Sequence, residues 1–302
     1  MSMYENSLDE LVERTCKLHL RDWLEGTATG GSTSTVVDTS RNEADDYFNN
    51  LPRAEVYIRT TTDGAAPIGE TRNITGAGSD FANSSGTITI VTTPLFTGAV
   101  TAGDTYSIHT EFSRDEVVEA INAAIAKIKS RALIELIDED TILTAAVYEY
   151  PVPAGFTHIY RITMSDGNGN FYGSCLAPHE YKIVRGKDIP RIHFFGFPVD
   201  RRYIGHYYSE PWRDIDLTAD SFLRIEGFSK QAKLVNSTDI CRVNPDFVCP
   251  QAAAFLQASR IYRSDVDPDE HRVQYTIQQG LANDALRVTR TQFPPDTKKV
   301  ER

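Results

Sequence analysis

The sequence predicts an α+β protein: a helical body with an inserted small all-β module, a second antiparallel β-sandwich or barrel-like domain, and an extended C-terminal arm. Two observations predict this fold class. Apolar residues recur at helical spacing near the N-terminus, after Ser113 and after residue 243. Between these helical segments lie short alternating runs separated by Gly, Asp and Asn, which is typical of antiparallel sheets.

The helical body is predicted to comprise residues 1–25 and 113–138 in its first part. Ser7 precedes apolar positions spaced by three and four residues, so we expect it to cap a helix. Ser113-Arg-Asp-Glu116 has the spacing of a capping box, in which a side chain at each end binds the other's backbone amide. A second helix is therefore expected to begin there.

Residues 26–112 are predicted to form the inserted β module. Their Thr-rich and Gly-rich start is followed by alternating runs at residues 55–59 and 87–91. Asp63-Gly64 and Gly103-Asp104 supply the turn residues between such runs. Because helical segments flank this region, we interpret it as an insertion between two helices that pack together.

Residues 139–243 are predicted to form the second β domain. Alternating runs such as residues 157–162 and 222–226, with many aromatic residues, indicate an antiparallel sandwich or open barrel. The aromatic stretch 203–212 has two interpretations. The favoured one is sandwich core plus a long loop; the alternative is contact with a partner or a glycan through Tyr203, Tyr207, Tyr208 and Trp212.

The C-terminal residues 244–292 are predicted to return to the body as two helices. Asn244-Pro245 and Asp267-Pro268 each combine a capping side chain with a proline suited to the first helical turn. Residues 293–302 carry too little apolar content to fold alone, so they are expected to form an extended arm that orders against a partner.

Charge and composition limit the classes of function. The chain has 31 Lys and Arg against 42 Asp and Glu, a formal net charge of -11, which disfavours nonspecific binding of nucleic acid. The four cysteines do not have the spacing of a zinc knuckle or a redox pair, and we expect reduced, mostly buried thiols. With no signal peptide and no apolar run of membrane-spanning length, the protein is expected to be made in a cytoplasm and to have no membrane partner.

No motif predicts catalysis, so we expect no enzyme, no cofactor and no metal. Asp265-Val-Asp-Pro-Asp269 resembles the start of a calcium loop, but Glu270 and Thr276 stand where Gly and Glu are required. The histidines are scattered, and Gly173-Ser174-Cys175 lacks the second glycine of a nucleophile elbow. A close carboxylate pair for glycan hydrolysis stays an open alternative, because only spatial separation decides it.

A group of short motifs carries a resemblance to a known family. They are Gly26-Thr-Ala-Thr-Gly-Gly-Ser-Thr-Ser-Thr-Val-Val-Asp38, Asp45-Asp-Tyr-Phe48, Val56-Tyr-Ile58, Thr71-Arg-Asn-Ile74 and Gly103-Asp-Thr-Tyr106. This series resembles a module of virion structural proteins from tailed bacteriophages. The resemblance covers roughly residues 8–130 and, more loosely, the helical end with its basic tail. The layout is similar to that of head-to-tail connector (adaptor) proteins of the phage neck.

The resemblance implies a homo-oligomer, a dodecameric ring beneath the portal protein, assembled in the host cytoplasm and located in the neck of the virion. The helices at residues 113–136 and 245–291 would line the ring, and a stopper or tail protein would be the next neighbour. Genomic DNA would only pass through the lumen, and the net charge permits a nonadhesive wall. Residues 139–243 exceed a minimal adaptor, so they would decorate the neck or hold a fibre. The alternative function is that of a tail- or fibre-associated protein that binds a carbohydrate or receptor through the aromatic stretch 203–212. The portal-docking arm would comprise Phe293, Pro294, Pro295, Lys298, Lys299, Val300 and Arg302.

Overall fold

The structure of the 302-residue chain is a computed structural model. It describes residues 4–51, 53–74, 80–91, 93–128, 131–144, 147, 149–165, 170–171, 175–176, 180–184, 188–194, 222–261, 267–289, 293–294 and 297–300. The chain divides into two compact units. The larger unit consists of Tyr4–Ile128 and Lys233–Thr289, and the smaller unit takes the described residues of Lys129–Ala232 and Arg290–Arg302.

The larger unit contains the α-helices of the described chain. They are α1 (Leu8–Arg14), α2 (Arg114–Ile128), α3 (Pro245–Arg260) and α4 (Pro268–Val288), and α1 continues as a π-helical segment, Thr15–Leu20. Each predicted cap is confirmed, since Ser7, Ser113, Asn244 and Asp267 all accept a backbone N–H of the helix that follows. Among the described residues no helix is both long and apolar enough to cross a membrane.

Most elements of the described chain are short strands, numbered here in chain order. They are β1 (Asn6–Ser7), β2 (Leu24–Thr27), β3 (Gly30–Gly31), β4 (Thr35–Val37), β5 (Glu55–Thr60), β6 (Thr71–Asn73), β7 (Phe81–Ala82), β8 (Thr87–Thr89), β9 (Thr105–His109), β10 (Leu133–Ile142), β11 (Glu149–Pro151), β12 (Phe156–Met164), β13 (Tyr181–Val184), β14 (Arg191–Phe194), β15 (Phe222–Lys230), β16 (Ile240–Cys241) and β17 (Lys298–Lys299).

In the larger unit, two four-stranded antiparallel sheets lie between α1 and α2 in the chain, with strand orders β2-β9-β5-β6 and β3-β4-β8-β7. Their inner faces share one hydrophobic core, which includes Val36, Val56, Phe81, Ile88 and Ile108. A two-stranded ladder of β1 and β16 joins the segment before α1 to the segment before α3. The helices contact one another in the pairs α1–α2, α2–α3, α1–α3 and α3–α4.

The smaller unit is built from two antiparallel sheets, with strand orders β10-β15-β12-β17 and β11-β14-β13. One hydrophobic core serves both sheets and includes Phe156, Ile159, Ile162, Ile192 and Ile225. In β14, buried Ile192 and Phe194 alternate with the more exposed Arg191 and His193, because successive side chains point to opposite faces of a sheet.

The predicted α+β fold with a helical body is wrong. The described residues form four helices against seventeen strands in five small antiparallel sheets, so the chain is mainly β. The helix expected at residues 113–136 ends at Ile128, and β10 begins at Leu133. Strand β10 pairs along its length with β15, which lies about ninety residues later in the chain. The prediction used only local spacing, and local spacing gives no information about a partner so far away.

The described residues of the predicted extended arm are paired within the chain. Lys298 and Lys299 form β17, which pairs with His158 and Ile159 of β12, and Val300 is buried in the core of the smaller unit. The pairing partner lies about 140 residues earlier in the chain. A segment without its own apolar content is thus ordered by a sheet edge that supplies both backbone hydrogen bonds and an apolar pocket.

Candidate functional site

The outward face of α4 carries an apolar stripe, defined here as Val273, Ile277, Leu281 and Val288. These side chains are 57%, 50%, 48% and 78% exposed. Their spacing of four, four and seven residues places them along one side of the helix, over about 22 Å at 1.5 Å per residue. Single exposed apolar residues are common, but several of them along one side of a helix are typical of a contact surface.

The inward face of α4 includes buried polar side chains. Its buried side chains are His271, Gln278 and Ala282. Gln278 accepts a hydrogen bond from the His19 ring at 2.8 Å and donates to the His19 carbonyl at 3.2 Å. His271 and Gln257 of α3 are 2.5 Å apart. Amide and imidazole hydrogen bonds therefore help to attach α4 to its own unit, while the four side chains of the apolar stripe face outward.

A second candidate surface is one edge of β12. Residues 297–300, called the tail strand here, lie along this edge. Val300 N–H donates to the Thr157 carbonyl at 2.8 Å, next to the two register pairs His158 with Lys299 and Ile159 with Lys298. These backbone contacts continue the sheet past β12. The edge thus binds an extended segment in the manner of β-strand addition.

Side chains anchor the tail strand at separate points. Val300 is 6% exposed and belongs to the core of the smaller unit. The Lys298 ammonium lies 3.7 Å from the centroid of the Tyr181 ring and donates to the Tyr181 carbonyl. Before the strand, the Phe293 ring contacts His158 at 4.6 Å and Phe228 edge-on at 5.5 Å between centroids. An apolar pocket, a cation site and an aromatic contact therefore surround one sheet edge.

The structure describes only part of the residues proposed from the sequence. Phe293, Pro294, Lys298, Lys299 and Val300 are placed in the smaller unit, with the contacts given above for all but Pro294. The other proposed residues lie outside the described part of the chain: Pro295, Arg302, Tyr203, Tyr207, Tyr208 and Trp212. The apolar stripe on α4 was missed. In the sequence, the four apolar residues of the stripe already have the spacing of one helix face. That face differs from the one that carries the buried residues of α4.

The motif residues that carry the resemblance hold the β module together. Tyr106 Oη donates to Asp38 Oδ2 at 2.8 Å, and Arg41 Nε donates to the same hydroxyl at 2.6 Å. A Cβ at Gly26 would lie 2.4 Å from the Asp38 carboxylate, so this close approach requires glycine. Burial alone would raise the pKa of Asp38, but hydrogen bonds from Ser40 and Tyr106 outweigh it and lower that pKa. These residues serve the fold.

A buried thiol and imidazole lie beside each other where the β module meets the helices. Cys16 Sγ is 3.8 Å from His109 Nδ1, and Trp23 packs edge-on against the same ring. Burial lowers the pKa of His109 to about 4 and raises the pKa of Cys16, so the pair stays neutral. A neutral buried thiol is a poor nucleophile, so this pair belongs to the core. Cys16, Cys241 and Cys249 are buried free thiols as predicted, whereas Cys175 is exposed.

Other possible sites are weak in the described part of the chain. No group of three or more His, Cys, Asp or Glu side chains there is arranged to hold a metal ion. A cleft of about 300 Å³ in the larger unit is lined by Arg53, Arg72, Glu55 and Asp115 among others. Arg53 and Arg72 form ion pairs with Glu116 and Glu70 respectively, so both guanidinium groups already have carboxylate partners within the chain. The α4 stripe and the β12 edge are therefore the two candidate surfaces that we consider further.

Comparison with known proteins adds no relative. No family model matches the chain, and no curated protein matches its sequence. The support for a role therefore comes from the residues and contacts of the chain itself.

Proposed function

We propose that this chain is a structural subunit of a tailed-bacteriophage neck, a head-to-tail connector that associates with further copies of itself to form a ring beneath the portal. It carries out no chemistry, and genomic DNA passes through the ring. The observation that carries the proposal is the apolar stripe of α4, which faces outward while polar residues attach the helix to its own unit. The resemblance of the motifs in residues 26–106 to phage virion proteins supplies the class of assembly.

A second copy of the chain is the proposed occupant of the stripe. The net charge of -11 makes identical copies repel one another, so stable association needs apolar contact to offset that repulsion. Val273, Ile277 and Leu281 supply such contact along consecutive helical turns. The same negative charge keeps a DNA-conducting lumen nonadhesive, which suits a connector.

Docking of residues 293–302 on the portal stays a prediction. In the structure the tail strand pairs with β12 and Val300 is buried, so docking on the portal would require that pairing to open. The glycan-binding alternative depends on Tyr203, Tyr207, Tyr208 and Trp212, which lie outside the described residues. No described contact favours it over the connector.

The first test is the mass of the purified full-length chain by size-exclusion chromatography with light scattering, followed by electron microscopy of the peak. The wild-type chain should form a ring, and the double variant Ile277→Glu, Leu281→Glu should be monomeric, because two buried carboxylates would be unpaired in the interface. The matched control is Asn283→Glu, which adds a charge to an exposed position of α4 away from the stripe. A wild-type chain that stays monomeric would overturn the proposal.

A localised cryo-EM reconstruction of the neck of phage particles that carry this chain tests the assignment itself. Density for the chain in a ring under the portal is the expected result. Density at the tail tip or in fibres would remove the connector assignment, and it would make Tyr203 and Trp212 the next residues to replace.

A further inference from the structure

The β12 edge is a binding slot whose occupant in this structure is the end of the same chain. The tail strand makes three main kinds of contact: backbone pairing to β12, the cation and carbonyl contact at Tyr181 of β13, and the burial of Val300 in the core of the smaller unit. The slot is complete within the smaller unit. Any copy of the tail strand that reaches it finds the same partners.

Along the chain, a segment of the larger unit lies between the slot and the tail strand. The chain leaves the larger unit after Ile128, forms the smaller unit, returns at Lys233, and ends α4 at Val288 still in the larger unit. Only after Thr289 does it belong to the smaller unit again. The tail strand is therefore a short element that a segment of the larger unit separates, along the chain, from its slot, and short separate elements of this kind can be exchanged between identical copies at low cost.

The pairing itself is short enough to exchange. β17 has two residues and makes two register pairs with β12. Phe293 is still 46% exposed where it contacts His158 and Phe228. Short edge strands separate more readily than long central ones, because few backbone hydrogen bonds must break together. What is lost on leaving one slot is regained in full in an identical slot.

We propose that, in the assembled ring, the tail strand of each copy occupies the β12 slot of a neighbouring copy, so that strand exchange links the subunits. This inference rests on the proposed self-association through α4, which brings neighbouring slots within reach at high local concentration. The free chain closes its own slot, and the ring exchanges the strands. The occupant is thus the Thr297–Val300 segment of a second copy, bound by the contacts seen here within one chain.

The test uses cysteines at the register partners His158 and Lys299, placed on separate chains. Both chains carry Cys175→Ser, which removes the exposed native thiol, while the remaining cysteines are buried. His158→Cys chains and Lys299→Cys chains are mixed as dissociated subunits, assembled and oxidised. A covalent heterodimer on a non-reducing gel forms in high yield only if the tail strand of one chain enters the slot of the other. The matched control pairs Lys299→Cys with Glu139→Cys, on the strand at the other edge of the same sheet.

The expected result is a heterodimer yield roughly tenfold or more above that of the control mixture, since exchange raises the effective thiol concentration well above that in solution. The double variant His158→Cys, Lys299→Cys on one chain should then give a ladder of linked subunits when assembled and an intrachain link when dilute. Assembly by light scattering with intrachain links alone would overturn exchange and leave the proposed ring intact. A chain that is monomeric at every concentration, with intrachain links, would overturn both.

Discussion

Helices α3 and α4 are neighbours in the larger unit, but they bury different kinds of side chain. α3 buries apolar residues such as Phe247, Val248 and Leu256, and it contacts α1, α2 and α4. Its contact with α4 includes hydrogen bonds through Gln251 and Gln257. α4 directs polar groups to α3 and keeps its own apolar stripe outside.

The difference indicates separate tasks for the two helices. α3 holds the unit together, because removing its side chains would leave cavities in a close-packed core. α4 is attached by hydrogen bonds of modest net strength and presents a surface for another molecule. Changes in α3 should therefore alter folding, whereas changes on the stripe should alter assembly.

The largest effect is expected at α3. Phe247→Ala should lower the free energy of unfolding of the larger unit by about 3–5 kcal/mol, because a fully buried ring is replaced by a cavity. Guanidinium titration followed by the fluorescence of Trp23, which lies in this unit, measures the loss. The control Phe247→Leu should cost roughly 1 kcal/mol. An effect of Phe247→Ala no larger than that of the leucine variant would contradict a core role for α3.

Acid should weaken the same core. Burial lowers the pKa of His109 to about 4, with Asp22 and Asp9 opposing the shift and Arg114 adding to it. Between the ordinary histidine pKa of about 6.5 and about 4, the unfolded chain binds more protons than the folded chain, so stability falls as pH falls. The expected loss is on the order of 2–3 kcal/mol.

Urea titrations of the larger unit at a series of pH values measure that loss. His109→Gln should remove most of the pH dependence in this window. The matched control, His193→Gln, changes a histidine of the smaller unit and should leave the slope for the larger unit unchanged. A slope that persists in His109→Gln would show that other groups cause it.

The polar attachment of α4 should contribute less. Gln278→Ala removes the two hydrogen bonds with His19 and leaves the imidazole N–H and the carbonyl unpaired, at a cost of about 1–2 kcal/mol to unfolding. Hydrogen exchange of α4 amides should rise more than that of α3 amides, since α4 is released first. Equal changes in both helices would mean that α4 does not open independently.

The smallest effect on folding is expected on the stripe. Leu281→Ala should change the free energy of unfolding by no more than about 0.5 kcal/mol, because the side chain is half exposed. The same variant should weaken self-association by roughly tenfold or more in sedimentation velocity. A loss of folding stability comparable to that of Gln278→Ala would place Leu281 in the core instead.

Local signals in the sequence located the helix starts well. The capping box at Ser113 and the caps at Ser7, Asn244 and Asp267 are all present, because each cap depends on residues two or three positions apart. The balance of helix and strand was predicted wrongly. β10 depends on β15, and β17 depends on β12, so neither strand is specified by its own neighbours in the chain.

The candidate surfaces show the same division. The sequence identified Phe293, Lys298, Lys299 and Val300 as a segment that needs a partner, but it did not show that β12 provides one within the chain. The stripe of α4 is visible as spacing in the sequence, yet its spacing alone does not tell which face is buried. Only the packing of Gln278 and His271 against their partners shows that the apolar face is outside.

The sequence by itself determined where the helices begin and where turn residues separate the β segments. It also determined the negative net charge and showed no familiar catalytic motif. The tertiary structure decided which strands pair, which face of α4 is exposed and where the tail strand binds. The physical reason is range: caps and turns are settled by hydrogen bonds between near neighbours, whereas sheet pairing and burial depend on residues far apart in the chain. The proposed assembly rests on those long-range contacts.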